Sequence, residues 1–227
     1  MKKIQRTDSS YDKSWNVIKF IYYFMALPML LCYGVISLFI LKGEANGRDL
    51  GLLGNDFHLF TLMVWSAIIL PLAFRTYAKK VRRHKLQKIV ELLTSNERFS
   101  PQKQHQVLDA GRGKYLGIDT QYGNILYIHM VKKGLVDVIG LTMSDWTDSE
   151  LEGSTLRVKT KNPEVPELSI NAHPIVAREL LNTLGAMSHK SYSESFPQEP
   201  WSLHVGIQSR FVEFEHNVVV PQAANLA

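Results

Sequence analysis

Two long apolar runs, and a change of period after them, organise the chain. Phe20 to Leu41 holds 22 residues without a formal charge, and Phe57 to Phe74 holds 18 more. As a helix the first would be about 33 Å long, enough to cross a hydrocarbon core of about 30 Å. Tyr77 and Ala78 extend the second toward the headgroups. A charge at mid-membrane costs about 2.5–3.5 kcal/mol on insertion scales, and neither run contains one. Pro28 and Pro71 would break soluble helices, whereas in a membrane helix neighbouring groups satisfy the carbonyls a proline frees. The pattern predicts a hairpin of two transmembrane helices, 20–41 and 57–78.

Beyond the second run, Val81, Leu86, Ile89, Val90 and Leu93 roughly share one helical face among many bases. Residues 79–110 therefore read as a basic amphipathic stalk and linker, able to lie on an anionic leaflet or to serve as a plain stop-transfer flank. Ser100-Pro101 resembles an N-cap with proline at the first helical position, predicting a short helix that ends at Gly111. From Lys114 the period becomes two. KYLGID, Ile125 to Val131, Leu135 to Leu141, Thr155 to Thr160 and Glu167 to Ile170 read as strands. Gln121 to Asn124 and Lys132 to Gly134 are short enough for hairpin links. Pro174 opens a helix to about Met187, with Val176, Leu180, Leu184 and Met187 on one face. The expected fold is a membrane α-helical hairpin plus an α+β domain over 111–190. That domain is an antiparallel β-meander or split barrel with a C-terminal capping helix, pleckstrin-homology-like in its element order. Residues 191–227 read as a partly ordered tail with a possible strand at Arg210 to Val220.

Charge sets the topology. Of a net +5, residues 1–93 carry 14 bases against 6 acids, and residues 94–227 carry 12 against 15. Basicity beside apolar runs fits membrane orientation and anionic lipid, not nucleic acid. Five bases lie in 1–19 and seven in Arg75 to Lys88, while the Gly-rich link 42–56 has two bases and three acids. The positive-inside rule then places both termini in the cytoplasm and 42–56 outside. The first run is too long for a signal-peptide core and lacks an A-x-A cleavage pattern, so it reads as a retained anchor.

Candidate chemistry is sparse. The one cysteine, Cys32, lies within the first run, which leaves no intramolecular disulfide and no cysteine metal site. No G-x-S-x-G, Walker A, H-E-x-x-H or G-x-G-x-x-G motif occurs, and no histidine pair has helical metal-site spacing. The reading is therefore no enzyme, no cofactor, no metal and no catalytic residue. His58 falls at the outer mouth of the second run, and His129 reads as a packing histidine beside Ile125 and Tyr127. Asp137, set among valines, is expected on a solvated or edge position rather than buried in the barrel. Ser144 to Gly153 gathers Asp145, Trp146, Asp148, Glu150 and Glu152 between strands. Those five form a candidate partner-recognition loop; alternatively Asp145 or Ser149 caps a turn while Trp146 plugs the barrel end. Arg75, Lys79, Lys80, Arg82, Arg83, Lys85 and Lys88 are the candidate membrane-surface residues.

One stretch carries a family resemblance. It contains Tyr115-Leu116-Gly117-Ile118-Asp119, Ile125 to Ile128, Val136 to Gly140, Trp146, Glu152-Gly153-Ser154, Leu156-Arg157, Thr160-Lys161 and Pro163 to Pro166. In these residues the chain resembles the surface (entry) exclusion proteins of IncI-type conjugative plasmids, the ExcA type. The resemblance implies an inner-membrane factor by which a plasmid-bearing cell refuses a second copy of a related plasmid. It would recognise a membrane component of a cognate conjugative transfer apparatus, without catalysis. The competing reading is a membrane-tethered adaptor whose barrel binds lipid headgroups or regulates a membrane complex. Neither reading specifies an oligomeric state.

Overall fold

A computed structural model of the chain describes residues 17–46, 55–95, 97–190, 192 and 199–223. They divide into two compact units, Met1–Ala78 and Lys79–Ala227.

The first unit is a helical hairpin. Helix α1, Leu27–Ala45, follows a π-helical turn at Tyr22–Ala26. Pro28 stands just after that turn and has no N–H to give the preceding carbonyls, a setting in which a helix commonly widens. Helix α2, Asn55–Leu93, runs 39 residues with Pro71 inside it. The helices meet through small and hydroxyl side chains. A Cβ on Gly34 would lie 3.3 Å from the Trp65 ring, and Ser37, Thr61, Val64 and Ile68 are buried. The Tyr22 hydroxyl donates to the Ala67 carbonyl at 2.7 Å. Small residues let apolar helices approach closely when burial from water is not what drives them together. By length and composition, both helices can cross a membrane.

The second unit holds two antiparallel sheets. The first has the order β1 (Gln106–Asp109), β2 (Lys114–Asp119), β3 (Asn124–Lys132), β4 (Leu135–Leu141). The second has β5 (Trp146–Glu152), β6 (Thr155–Thr160), β7 (Glu167–Asn171). The hairpin turns carry glycine in the left-handed region, as at Gly123 (φ 74°) and Gly134 (φ 81°), where a Cβ would be strained. Helix α3, Pro174–Ser188, and helix α4, Trp201–His216, complete the unit.

The inner faces of the two sheets enclose one core: Leu116, Ile118, Ile125 and Tyr127 from the first, Leu156, Val158, Leu168 and Ile170 from the second. Leu180, Leu184 and Met187 of α3 join it. The outer face of the first sheet forms a second core. Tyr115, Leu126, Ile128, Val136 and Val138 cluster there with Leu86, Ile89 and Leu93 of α2 and with Trp201, Val205 and Val212 of α4. Because β4 is buried along its whole length, it reads as an almost unbroken apolar run instead of an alternation.

Three expectations need correction. Residues 101–110 are not a helix: a 3-10 turn at Lys103–His105 leads into strand β1. Val107 packs against the inter-sheet core and Leu108 against the outer one, an alternation that a helix could not provide. The acid-rich segment after Ser144 is not a loop but strand β5. The described part of the tail holds helix α4 in place of a strand at Arg210 to Val220. The Trp201 indole N–H donates to the Ile125 carbonyl at 3.0 Å, and its ring stacks on Phe99 at 5.1 Å.

The packing over Gly140 sets a test. A Cβ there would meet Val205 Cγ2 at 2.6 Å, whereas one on Gly185, inside α3, meets nothing within 4 Å. Gly140→Ala is expected to destabilise the unit by about 1–3 kcal/mol through overpacking. Gly185→Ala is expected to stabilise it by about 0.5–1 kcal/mol. Thermal melts of the detergent-solubilised chain check both signs.

Candidate functional site

The acids singled out in the sequence stand on β5 and do two different jobs. Asp145 belongs to the turn before the strand: its Oδ2 accepts the Thr142 N–H and the Thr142 hydroxyl, each at 2.8 Å. Its own carbonyl accepts the Lys161 N–H at 2.9 Å. Trp146 is half-buried against the inter-sheet core. These two residues shape the end of the sheet. Asp148, Glu150 and Glu152 instead alternate on the exposed face, while Ser149 and Leu151 are half-buried between them. Lys159 of β6 pairs with Asp148 at 3.1 Å and also with Glu150. Arg157 pairs with Glu152 at 2.6 Å and with Glu167 of β7 at 2.9 Å. The hydrogen bond from Lys159 holds the Asp148 carboxyl below its ordinary range. Hydrogen bonds to Glu150 and Glu152 raise Lys159 and Arg157 respectively. The result is a solvated grid of charge on one sheet face, with four acids around two bases.

The basic segment is also divided. Arg75 sits over the Tyr23 ring, 5.1 Å from its centroid. Arg82 donates to the Gly111 carbonyl at 2.9 Å and Lys85 to the His216 carbonyl at 3.5 Å. Lys79, Lys80, Arg83 and Lys88 are exposed. Leu86, Ile89 and Leu93, the apolar face expected to lie on a leaflet, are buried in the outer core instead. Sheet surface supplies a better apolar partner for that face than an interface shared with water.

A polar row crosses the inner face of the first sheet. In register, Lys114 of β2 stands beside His129 of β3, which stands beside Asp137 of β4. Asp137 is 4% exposed, so the solvated position expected for it is wrong. β4 is an edge strand, as expected, but Val219 and Gln222 cover it. The Gln222 amide donates to Asp137 Oδ1 at 3.2 Å. His129 is half-buried with its ring 6.3 Å from that of Tyr127. Lys114 reaches across to β7, where its amine donates to the Ser169 carbonyl and hydroxyl, each at 2.8 Å. The Tyr127 hydroxyl donates to the same carbonyl at 3.2 Å. Burial, followed by the nearby Arg112, holds the Lys114 amine below its ordinary pKa. Burial likewise raises the Tyr127 phenol. Lys114 was legible as a lone base on the Leu116 and Ile118 face of an apolar strand. What it touches was not.

Two clefts flank the β1 edge. One, of about 580 Å³, is lined by β1 together with Lys79, Arg83 and the Asn171–His173 turn. The other, of about 420 Å³, is lined by Arg83, Lys103 and Tyr115 among others. Among the described residues no group of three His, Cys, Asp or Glu side chains is placed to hold a metal ion. His58 makes an edge contact with Phe57 and lines a shallow cleft with Thr61, Trp65 and Ser66.

The family model of the exclusion-determining proteins matches residues 1–224. The chain belongs to the exclusion-determining protein family. No curated protein and no solved structure matches it. As an exclusion-determining protein it has an exclusion role, and the likeness first visible between Tyr115 and Pro166 extends to both helices and both sheets.

The carboxy-terminal helix of this exclusion-determining protein gives a pH test. His204 stacks on Trp201 at 5.8 Å. Burial, with Arg98 next, lowers its pKa from 6.5. Its depressed folded-state value means that it contributes stability above the unfolded pKa, and this is lost as the pH falls through the folded one. His216, lowered chiefly by burial, acts in the same direction. The detergent-solubilised protein is expected to melt at a lower temperature near pH 5 than near pH 7. His204→Gln should remove part of that difference.

Proposed function

We propose that the protein acts in surface exclusion as a non-catalytic recognition factor of the recipient's inner membrane. It meets a membrane component of a cognate conjugative transfer apparatus and so blocks redundant transfer into a cell that already holds the plasmid. The family match over residues 1–224 is the observation that carries this reading.

The helical hairpin supports membrane seating. Phe20, Phe24, Met29, Phe39, Leu62 and Leu70 are exposed on it, a surface suited to lipid and costly in water. Bases on both outer flanks and few on the link favour cytoplasmic termini. Arg75, Lys79, Lys80, Arg82, Arg83, Lys85 and Lys88 then serve an anionic leaflet through their charges, although Arg82 and Lys85 also tie α2 to the globular unit. The element order, four strands and then three followed by α3, supports the pleckstrin-homology-like reading.

For recognition, the outer face of β5 is the proposed contact: Asp148, Glu150 and Glu152 present the charge, while Asp145 and Trp146 hold that end of the sheet in place. Exposed charge of this kind selects partners and steers approach more than it adds affinity.

A mating assay tests the proposal. Recipients expressing the chain are expected to take up its parent plasmid far less often than an unrelated plasmid. Combining Asp148→Ser, Glu150→Thr and Glu152→Thr keeps strand propensity and should cost about tenfold or more in exclusion. Undiminished uptake of the parent plasmid by wild-type recipients would overturn the function itself.

A further inference from the structure

The two edges of the first sheet are treated differently. The β4 edge is covered: Val136 N–H donates to Val219, Val219 N–H donates to Gly134, and the Gln222 side chain accepts the Val138 N–H. The β1 edge has no strand beyond it among the described residues. The register shows which groups it presents. Met130 N–H bonds to the Gly113 carbonyl, so odd-numbered residues of β2 pair with β3 and even-numbered ones with β1. Lys114 and Leu116 stand opposite Asp109 and Val107, which leaves the backbone of Gln106 and Leu108 directed outward.

β7 is also an edge strand. Thr160 N–H bonds to Pro166 and Ala172 N–H to Ser154. By the same alternation the backbone of Glu167, Ser169 and Asn171 turns away from β6. At Ser169 side chains fill the gap, because Lys114 and Tyr127 occupy its carbonyl. Beside Asn171 the gap opens into the cleft of about 580 Å³ along β1. An uncovered edge is a liability that folded proteins usually blunt, unless another chain is meant to add to it.

The charge around this edge favours one sign of occupant. Lys79 and Arg83 line the cleft and Lys103 its neighbour, and among the described residues none of them is in an ion pair. Asp109, the acid within β1, is committed to its own turn, accepting Gly111 and Arg112 N–H at 3.0 and 3.1 Å. Glu91 is the one acid lining the second cleft.

We propose that the β1 edge takes an extended, acidic segment of the partner polypeptide, added beside Gln106 and Leu108 as a further strand. This deepens the recognition reading and rests on it. Main-chain hydrogen bonds hold the segment, and its carboxylates meet Lys79, Arg83 and Lys103.

The test uses the full chain in recipient membranes, mated with donors carrying the plasmid that encodes it. A photoreactive benzoyl-phenylalanine at position 106 is expected to crosslink to a donor-encoded polypeptide in these matings, and not when the donor plasmid is unrelated. No adduct from exclusion-active protein, or adducts only to lipid or to this chain itself, overturns the proposal. Gln106→Pro deletes one outward N–H at the first strand residue; φ there is −136° and must shift toward proline's value of about −65°, and the acceptor of the Tyr115 hydroxyl is lost with the side chain, so a thermal melt matching the wild type's is required of it. At unchanged membrane abundance it is expected to reduce exclusion about tenfold or more. Lys79→Gln with Arg83→Gln should do the same and weaken the position-106 adduct, and Lys132→Gln with Lys133→Gln, which line neither cleft, should do neither. Full exclusion by Gln106→Pro beside an excluding wild type sinks the edge alone. A wild type that does not exclude sinks the recognition reading first.

Discussion

Burial of β2, β3 and β4 on both faces is the constraint on which the globular unit rests. Sheet surface exposed to water on either side would leave apolar rows such as Leu126, Ile128, Val136 and Val138 uncovered. The chain solves this with pieces remote in sequence: the end of α2 comes before the sheet, and α4 comes after both sheets and α3. Trp201 joins the layers, since its indole bonds to a β3 carbonyl while its ring stacks on Phe99. Gly140 is small because that helix lies directly on it. The same demand draws Leu86, Ile89 and Leu93 into the core and makes the last turns of α2 part of the domain.

Where the two sheets part, polar chemistry takes over from backbone pairing. Lys114, His129 and Asp137 form a row at one end of an otherwise apolar interior, and Lys114 and Tyr127 satisfy a β7 carbonyl that no strand reaches. An amine so placed is costly to bury unless each donor finds an acceptor. Its two bonds to Ser169 offset part of that cost and hold the sheets together at that point. The row is thereby structural, and the open length of the seam lies beyond it, along β1.

Charge on the second sheet follows another logic. Asp148, Glu150 and Glu152 face water with Arg157 and Lys159 interleaved, so each pair contributes little to stability. What such a grid supplies is a patterned surface. Such a surface, together with a membrane-suited hairpin, is what the proposed recognition role would use.

Apart from β5, the strands from Lys114 to Asn171 and helix α3 were legible because their periods are strong and glycine turns separate them. β5 was obscured because acids are poor strand formers, although its exposed acids alternate with the half-buried Ser149 and Leu151. α4 was obscured for the opposite reason. Trp201, Val205 and Val212 keep helical spacing, but Phe211 and Phe214 add apolar residues on the exposed side and blur it. Asp137 was misjudged because a carboxylate among valines looks solvated until Gln222, 85 positions away, is brought to it. Local pattern alone determined two membrane-length helices, most of the strands and the charge asymmetry, since those depend on neighbours a few residues apart. Tertiary structure decided which sheet is sealed on both faces, which acids are buried and which edge stays open. Those outcomes depend on residues distant in the chain meeting across the core, and periodicity carries no information about that.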